Sequence, residues 1–545
     1  MSASAKKKLR KEQEAAKLEQ KQLKEKKEAR KLKAGSTVFV VVLVAILVAA
    51  IAIGAYSIIT SSGVIEKNTI AATVGDHQIS SLDASYYYTD TILNSYNSWV
   101  NAYGDNLELY MMFMGLDISQ PLDKQPHPED ETKTWADYFV DAALDRAKSD
   151  YALYDLAMAN GHTLTEAEQI NLDSIIDSLE LVALYNNFES AEAYLYANYG
   201  PGADIQSYTE YCTRNAIATS YYNAHMDSLS YDKTAISAYE QGKELDYTAF
   251  SYASYYVNCS DYLTGGKEEN GSMVYTDAER EAARVAAETV ANQLSGCKTV
   301  EALDKAIAAL PLNADKTNVA STHAEDALYT TIPATISSWL AENGRVNGDT
   351  AVIPLQTTSD DAATVSGYYV VLFENRNENN RPLANVRHLL VKFESASGST
   401  TYTDAEKAAA KAEAEKILAE MQAAGTITDA AFAAKVTELT DDTASAATGG
   451  LYEDILPVQG IYEKNFTDWA VDPDRKVGDT GLVETAHGWH IMFYASDDDM
   501  TYRDYLITQD MIAEDMNEWY ENILKPVQVT KLDVSKLKTD LILAR

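Results

Sequence analysis

Two short stretches near the C-terminal end of the chain each carry a histidine among apolar residues, Val386–Val391 and His487–Met492. Both stretches are typical of β-strands, in which side chains alternate between the two faces. His388 and His490 therefore each lie opposite the bulkier apolar stripe of their strand. If the two strands pair, both imidazoles face the same surface and can hydrogen-bond to a ligand there. Two histidines on strands are by themselves a weak sign of function. Whether they form a site depends on the elements that lie between them.

Those elements are an Ala-rich helix, the turn Gly449-Gly450 and the run Asn465–Trp469. Their order resembles a parvulin-type peptidyl-prolyl isomerase domain, whose family begins with a His-Leu/Ile-Leu-Val strand and ends with a Gly-aromatic-His-Ile strand. The resemblance implies that residues 384–496 form an α+β isomerase domain.

The chemistry of such a domain is rotation about the bond that precedes proline. Exchange is slow because rotation breaks amide resonance, at a cost of about 18–20 kcal/mol. An isomerase must bind the twisted amide better than either planar form. The family does this without cofactor or metal, using an apolar cup for the proline ring and a polar set near the carbonyl.

The resemblance assigns these roles to residues of this chain. It implies a catalytic set of His388, His490 and Asp442, and a substrate-binding set of Phe466, Tyr462, His487 and Thr443. Tyr462 stands where the family usually has Met, and Thr443 replaces Asp442 if the alignment shifts by one residue. His487 stands where many relatives have a small hydroxyl residue.

The segment after the Gly-Gly turn departs from the family pattern. The family continues with Asp-Leu-Gly, whereas this chain has Leu451-Tyr452-Glu453, and about two extra residues precede Phe466. We therefore expect a different pocket wall and a weak activity.

Part of this domain is repeated earlier in the chain. Tyr275–Arg280 matches Tyr402–Lys407, Ile336–Trp339 matches Phe466–Trp469, Gly348–Thr350 matches Gly478–Thr480, and Gly367–Val370 matches Gly488–Ile491. The order is kept at offsets of 121 to 130 residues, which indicates an internal duplication. The first copy, residues 246–376, has Tyr369 in place of His490 and no histidine in its first strand, so we expect a degenerate parvulin-like domain.

Residues 64–245 read as helices after a small hairpin around Gly75-Asp76, with a capping box at Thr165. This pattern is similar to the helical N-terminal domain of SurA/PrsA-type extracytoplasmic foldases. The resemblance implies a chaperone-like domain that is completed by a returning C-terminal helical segment, residues 497–545. Tyr86-Tyr87-Tyr88 is interpreted as helix packing rather than as a client-binding cradle.

The N-terminal end suggests attachment to a membrane. Residues 1–35 carry a net charge of +8, whereas the whole chain carries −37. Residues 36–62 have no charged side chain and are long enough to cross a bilayer core of about 30 Å as a helix. The positive-inside rule then predicts a single-pass cell-membrane protein, with residues 1–35 in the cytoplasm and the remainder outside.

Several other classes of protein are disfavoured. The three scattered cysteines, Cys212, Cys259 and Cys297, form no disulfide framework, although a Cys259–Cys297 pair stays open. There is no metal-ligand spacing and no phosphate-binding loop, and the acidic exterior argues against nucleic acid.

The fold class is therefore α+β, and two kinds of function remain. We prefer a foldase that isomerises X-Pro bonds in unfolded or nascent secreted polypeptides. The alternative is a non-catalytic holdase-type chaperone or envelope scaffold on the same fold.

Overall fold

The computed structural model describes residues 63–537 except 118, 270, 360–361, 396–400 and 459. The predicted basic tail, 1–35, and apolar segment, 36–62, lie outside these residues. The chain divides into two compact units, one up to Ser230 and again from Ile512, the other from Tyr231 to Met511. Across the part that is described, no helix combines the length and the apolar character that crossing a bilayer requires.

The first unit is mainly helical. Its helices are α1 (Val64–Asn68), α2 (Ser81–Tyr103), α3 (Leu107–Phe113), α4 (Trp135–Ala159), α5 (Glu166–Asp177), α6 (Leu179–Tyr185), α7 (Ala191–Tyr199) and α8 (Ile205–Ser228). Its strands before the second unit are β1 (Ile70–Val74), β2 (His77–Ser80), β3 (Pro126–His127) and β4 (Asp130–Thr134). The hairpin of β1 and β2 and the capping box at Thr165 are formed as predicted.

The tyrosines of α2 belong to the core of this unit. Tyr86, Tyr87 and Tyr88 are all at most 1% exposed. Tyr86 and Tyr87 pack against Tyr211, with ring centroids 5.2 and 5.0 Å away. The Tyr211 hydroxyl donates to Asp90 Oδ2 at 2.8 Å. Buried tyrosines need such a partner for the hydroxyl, and the packing interpretation of this cluster is confirmed.

The second unit is a mixture of helices and antiparallel sheets. Its helices are α9 (Lys233–Glu240), α10 (Asp277–Leu294), α11 (Val300–Ala308), α12 (Ala334–Leu340), α13 (Asp404–Ala423), α14 (Asp429–Leu439), α15 (Lys464–Ala470) and α16 (Tyr502–Leu524), the last of which runs on into the first unit. Its strands are β5 (Ala249–Asn258), β6 (Lys267–Glu269), β7 (Ser272–Val274), β8 (Thr322–Leu328), β9 (Thr350–Ser359), β10 (Ala362–Asn377), β11 (Pro382–Lys392), β12 (Leu451–Ile455), β13 (Thr480–Glu484) and β14 (Gly488–Thr501).

Two four-stranded sheets in this unit have the same plan. One has the strand order β8-β5-β10-β9 and the other β12-β11-β14-β13. The matching segments Tyr275–Arg280 and Tyr402–Lys407 each form a capping box, at Thr276 before α10 and at Thr403 before α13. The two sheets and their helices therefore follow one another along the chain in the same order, as a duplication requires.

A contact outside the sheets repeats as well. Arg475 lies over the Trp469 ring at 4.4 Å and its Nε donates to the Trp469 carbonyl at 3.1 Å. Arg345 lies over Trp339 at 3.8 Å with the matching hydrogen bond at 2.7 Å. Because the pair is also present in the copy that lacks the counterparts of His388 and His490, it is a packing feature.

After β14 the chain returns to the first unit. The short strand β15 (Val529–Lys531) pairs with β1 in antiparallel register, Ala72 opposite Lys531. The three cysteines are unpaired in the structure.

Arg503, at the start of α16, should be the most costly single cation to remove from the second unit. Its side chain is 9% exposed and pairs with Glu240, while its nitrogens donate to the carbonyls of Glu244 at 2.6 Å and Glu378 at 3.1 Å. Truncation leaves the partly buried Glu240 carboxylate, 24% exposed, and two carbonyls without this donor, so Arg503→Ala should cost about 3 kcal/mol of unfolding free energy. Urea denaturation measures this, with Lys416→Ala as the control. Lys416 is 60% exposed and pairs with Glu413 on the exposed surface of α13, so equal losses would contradict the assignment.

Candidate active site

The two histidines meet on one face of the β12-β11-β14-β13 sheet. His388 is opposite Met492 and Leu390 is opposite His490, so the histidines are diagonal neighbours on adjacent strands. Their Nδ1 atoms are 2.9 Å apart. His388 is 3% and His490 7% exposed. The pair is thus a buried hydrogen bond between two imidazoles, in which one Nδ1 carries the shared proton.

The opposite face of the same strands is apolar. Leu389, Ile491 and Phe493 are at most 2% exposed and pack with Phe432 of α14. The alternation that the sequence predicts is therefore the one that the structure has: an apolar stripe under the helices, and both imidazoles on the other side.

Asp442 approaches His388 from the loop after α14. This loop lies along the part of β11 that β12 does not pair with, where the Asp441 amide donates to the Leu390 carbonyl at 2.9 Å. Asp442 Oδ2 lies 3.1 Å from His388 Nε2 and also accepts from the Ser445 hydroxyl. Burial alone would raise the pKa of Asp442, but the hydrogen bonds from His388 and Ser445 outweigh it and hold that pKa well below its usual range.

Thr485 holds the other end of the pair. Its Oγ1 lies 2.9 Å from His490 Nε2 and accepts a hydrogen bond from the His487 amide at 3.2 Å. Burial first, and then the electrostatic effects of His388 and His487, lower the pKa of His490 to about 3. His490 is therefore a neutral imidazole at physiological pH.

These contacts orient the hydrogen bonds. An ionised Asp442 can only accept, so His388 Nε2 carries a proton and donates it. When His388 is neutral, its Nδ1 accepts, His490 Nδ1 donates, and His490 Nε2 accepts from the Thr485 hydroxyl. In that state one directed hydrogen-bond chain runs from Thr485 through both imidazoles to Asp442.

A cavity of about 580 Å³ opens beside this chain. Its lining residues are His388, Tyr452, Gly460, Ile461, Tyr462, Glu463, Lys464, Phe466, Thr485, His487 and His490. The rings of Phe466, Tyr452 and Tyr462 form an aromatic cup with mutual centroid distances of 5.6–5.9 Å. Phe466 lies 5.6 Å from each histidine ring, so an apolar ring in the cup would contact the polar chain directly.

The Gly449-Gly450 turn allows the chain to pass this close to β11. Gly450 has φ +72° and its carbonyl accepts from the His388 amide at 3.0 Å. A Cβ at this position would lie 2.2 Å from the His388 carbonyl oxygen. Only glycine fits, and the turn leads directly into β12, which carries Tyr452.

The predicted site residues fall into two groups. His388, His490 and Asp442 are joined in one network, and Phe466, Tyr462 and His487 line the cavity. Thr443 is one residue beyond Asp442 and is not among the described residues that line the cavity. Asp442 is the residue whose carboxylate reaches His388, and the alternative with Thr443 in its place stays a prediction.

Three residues of the site were not predicted. Thr485 is the residue that hydrogen-bonds His490 Nε2. The sequence analysis predicted only His487 near His490, and the His487 side chain is 72% exposed. Ser445 bonds Asp442, and Tyr452 packs against His388 with ring centroids 4.9 Å apart. Ser445 follows Asp442 by three residues, a spacing at which a serine hydroxyl can reach an aspartate within a turn. This spacing was the available signal for Ser445.

We expect His490 to stay neutral from pH 5 to pH 8. An unfolded histidine titrates near pH 6.5, whereas folded His490 takes up its proton only at about pH 3. Between these values the unfolded chain binds the extra proton, so this group makes folding less favourable as the pH falls. NMR of the imidazole nitrogens tests this, with His490→Gln to assign the signal. A titration midpoint above pH 5 would contradict it.

Of the comparisons with known proteins, the one with family models covers this site. Residues 368–495 match the family model of the PPIC-type PPIASE domain. The match begins inside β10 and ends inside β14, so it covers both histidines and the strands and helices between them. The comparison with curated proteins gave no match.

Solved structures give distant likenesses. The peptidylprolyl isomerase PrsA from Bacillus anthracis is 15% identical, with 27% of this chain and 59% of that chain covered and a TM-score of 0.17. PrsA from Bacillus cereus is 20% identical, covering 30% and 57%, with a TM-score of 0.17. A Campylobacter jejuni structure from work on PEB4 and Cj1289, two structurally related SurA-like chaperones, is 15% identical, covering 57% and 83%, with a TM-score of 0.15.

The aligned region spans less than two thirds of either PrsA chain. TM-scores this low carry no conclusion about the arrangement of the whole chain. The family match stands independently of them, and it coincides with the residues that the histidine network and the aromatic cup occupy. Residues 368–495 are therefore a parvulin-type peptidyl-prolyl isomerase domain.

Proposed function

We propose that this protein is a foldase that catalyses cis-trans isomerisation of X-Pro bonds in unfolded or nascent secreted polypeptides. The observation that carries the proposal is the contact between the aromatic cup and the buried His388–His490 pair. An isomerase needs a site that holds the proline ring and leaves the rest of the amide free to turn against it.

The cup meets the first requirement. Phe466 is 5% exposed and is held at the first turn of α15, while Tyr452 and Tyr462 close two sides. A proline ring placed against these rings loses contact with water, and the adjoining carbonyl loses water with it. Water stabilises the charge-separated planar amide, so its exclusion favours the twisted form, in which that charge separation is reduced.

The histidine chain meets the second requirement. In the twisted amide the nitrogen no longer shares its lone pair with the carbonyl. Preorganised donors and acceptors that do not reorient during the turn stabilise such a state at little cost. Asp442, His388, His490 and Thr485 hold one another in a single orientation by hydrogen bonds, and so supply a polar wall that stays fixed while the peptide rotates.

The test is a direct measurement of exchange. The full-length protein, in mild detergent, is added to a short proline peptide and the cis-trans exchange rate is followed by NMR exchange spectroscopy. We expect acceleration that scales with protein concentration and requires no added metal or cofactor. The same rate in the presence and absence of protein would remove the proposal.

A holdase-type chaperone is the second candidate, and one observation favours it. The helical unit exposes large apolar side chains on α3 and α6, with Phe113 78%, Met112 69%, Leu184 70% and Tyr185 69% exposed. Apolar surface of this kind suits unfolded segments. Prevention of aggregation without any acceleration of proline exchange would select this candidate.

We propose that the first parvulin-like copy is not catalytic, because neither of the two histidines has a histidine counterpart there. Sheet register places Ser254 at the position of His388 and Tyr369 at that of His490. Tyr369 packs on Tyr256 with centroids 5.0 Å apart. We infer a structural or client-binding role for this copy.

We further propose that residues 36–62 anchor the protein in the cell membrane with the basic tail in the cytoplasm. The charge difference between residues 1–35 and the remainder supports this orientation. Resistance to carbonate extraction, together with digestion of the main body by externally added protease, tests it. Release by carbonate would contradict the anchor.

A further inference from the structure

The rim of the cavity carries one acidic group that the isomerase chemistry does not use. Glu463 precedes α15 directly and lines the cavity together with its neighbours Tyr462 and Lys464. Among the described residues, its carboxylate has one charged partner, His487, and the closest atoms are 3.9 Å apart. Lys464 is different, because its Nζ is held by Asp468 at 2.6 Å. The net local charge at the rim is therefore that of Glu463.

The position of Glu463 puts it within reach of a residue next to the bound proline. Glu463 and Phe466 are three residues apart at the start of a helix, a spacing that places Cβ atoms about 5–6 Å from each other. Consecutive Cα atoms of a bound peptide are about 3.8 Å apart. A long side chain on either neighbour of a proline that contacts Phe466 therefore reaches the carboxylate.

The cavity also has space and the right walls for such a side chain. At about 580 Å³ it is well beyond the size of one five-membered ring. Tyr462, the member of the cup that is next to Glu463 along the chain, has a half-buried ring that offers a surface for the methylene stem or the cation of Lys or Arg. An acidic peptide side chain would meet the same carboxylate as a like charge.

The surrounding domain reinforces this preference. Residues 382–501 contain nine Lys or Arg and 21 Asp or Glu, a net charge of −12. A surface of this sign attracts basic peptides and repels acidic ones before contact is made. The effect at Glu463 and the long-range effect therefore act in the same direction.

We propose that this site prefers X-Pro segments in which a Lys or Arg lies directly beside the proline, and that Glu463 is the specificity-determining residue. The proposal rests on the isomerase function proposed above. It concerns only the charge of the neighbour, and it leaves the histidine chain as the group that acts on the amide.

The experiment compares four peptides that differ only in the residues beside proline. They have Lys before proline, Lys after proline, Leu before proline and Glu before proline. With the full-length protein at low salt, at least one of the two Lys peptides should exceed the Leu peptide in kcat/KM by roughly three- to tenfold. The Glu peptide should be the poorest. The advantage should shrink at 0.5 M salt, since an exposed charge pair is screened.

Variants separate the local from the general effect. Glu463→Gln should remove most of the Lys advantage, measured as the ratio of kcat/KM for the Lys peptide to kcat/KM for the Leu peptide. Glu413→Gln, which removes an equal charge from the exposed face of α13, should retain it. An unchanged Lys-to-Leu ratio in Glu463→Gln, or equal loss in both variants, overturns the assignment to Glu463.

A binding measurement keeps this inference distinct from the isomerase proposal. The dissociation constants of the same peptides are measured by NMR shifts of cavity residues, which requires no turnover. Tighter binding of a Lys peptide that is lost in Glu463→Gln supports the preference even if no exchange is accelerated. Equal binding of all four peptides overturns it even if the protein proves to be an active isomerase.

Discussion

Replacing either His388 or His490 by alanine should lower kcat/KM for proline isomerisation about 100-fold or more. Each histidine is the other's hydrogen-bond partner at 2.9 Å, and both contact the Phe466 ring. Removing one imidazole leaves the other without its donor or acceptor and opens the polar wall to water. Loss of a single preorganised group of this kind typically reduces rates by about 10²–10³-fold.

The double variant should be scarcely worse than either single variant. The two side chains act as one unit, and groups that act as a unit are strongly non-additive. Peptide exchange measured by NMR gives the three rates. His323→Ala is the matched control, since His323 lies on β8 of the first copy and is bonded to Glu374 there. Single variants with wild-type rates would show that the imidazoles are structural.

The position of the two histidines could be predicted from the sequence because strand alternation is local. Leu389 and Ile491 mark the buried face of their strands, so the neighbouring histidines had to lie on the other face. Pairing of the two strands did not follow from alternation, and it came from the family resemblance. The diagonal relation of His388 and His490 is a matter of register, which no local pattern determines.

The hydroxyl groups of the site were harder to predict because they come from loops. Thr485 lies before β14 and reaches His490 only because the turn between β13 and β14 folds back. Ser445 lies in the loop before Gly449, and its direction depends on that loop's path along β11. Sequence reasoning chose His487 because its position matches that of a small hydroxyl residue in many relatives. The hydroxyl that bonds His490 is instead two residues earlier, on Thr485.

The first copy shows a related limit. The sequence alignment identified Tyr369 as the counterpart of His490, since both follow a shared glycine. It gave no counterpart for His388, because the loops between the strands differ in length and the offset changes. The register of the sheet identifies Ser254 as the counterpart of His388. Ser254 is opposite Val371 in the first copy, just as His388 is opposite Met492 in the second. Structural equivalence in a duplicated fold thus depends on hydrogen-bonded pairing rather than on constant spacing.

Asp442→Asn should lower kcat/KM by about tenfold to 100-fold while the cavity keeps its shape. The carboxylate accepts from His388 Nε2 at 3.1 Å and so fixes which nitrogen of each imidazole carries the proton. An amide is neutral and can donate as well as accept, so it neither strengthens the hydrogen bond by charge nor specifies the tautomer. Without that specification, part of the population has the wrong proton order along the His388–His490 bond.

Asp441→Asn is the matched control, one residue away on the same loop. Its Oδ2 accepts from the Lys392 amide at 3.0 Å and does not contact either imidazole. The control should keep its exchange rate, and both variants should keep the wild-type circular dichroism spectrum. Equal rates for the two variants would show that the carboxylate is not needed to orient His388.

Acid unfolding gives a second readout for the same residue. The folded pKa of Asp442 is held well below its usual range, whereas an unfolded aspartate titrates near pH 3.9. The ionised form therefore stabilises the fold fully above about pH 4, and this stabilisation is lost as the pH falls towards the folded pKa. The difference in unfolding free energy between wild type and Asp442→Asn should be constant from pH 5 to pH 8 and should shrink below pH 4. A difference independent of pH down to pH 2 would mean that Asp442 carries no depressed pKa, and that the hydrogen bonds from His388 and Ser445 do not stabilise its ionised form.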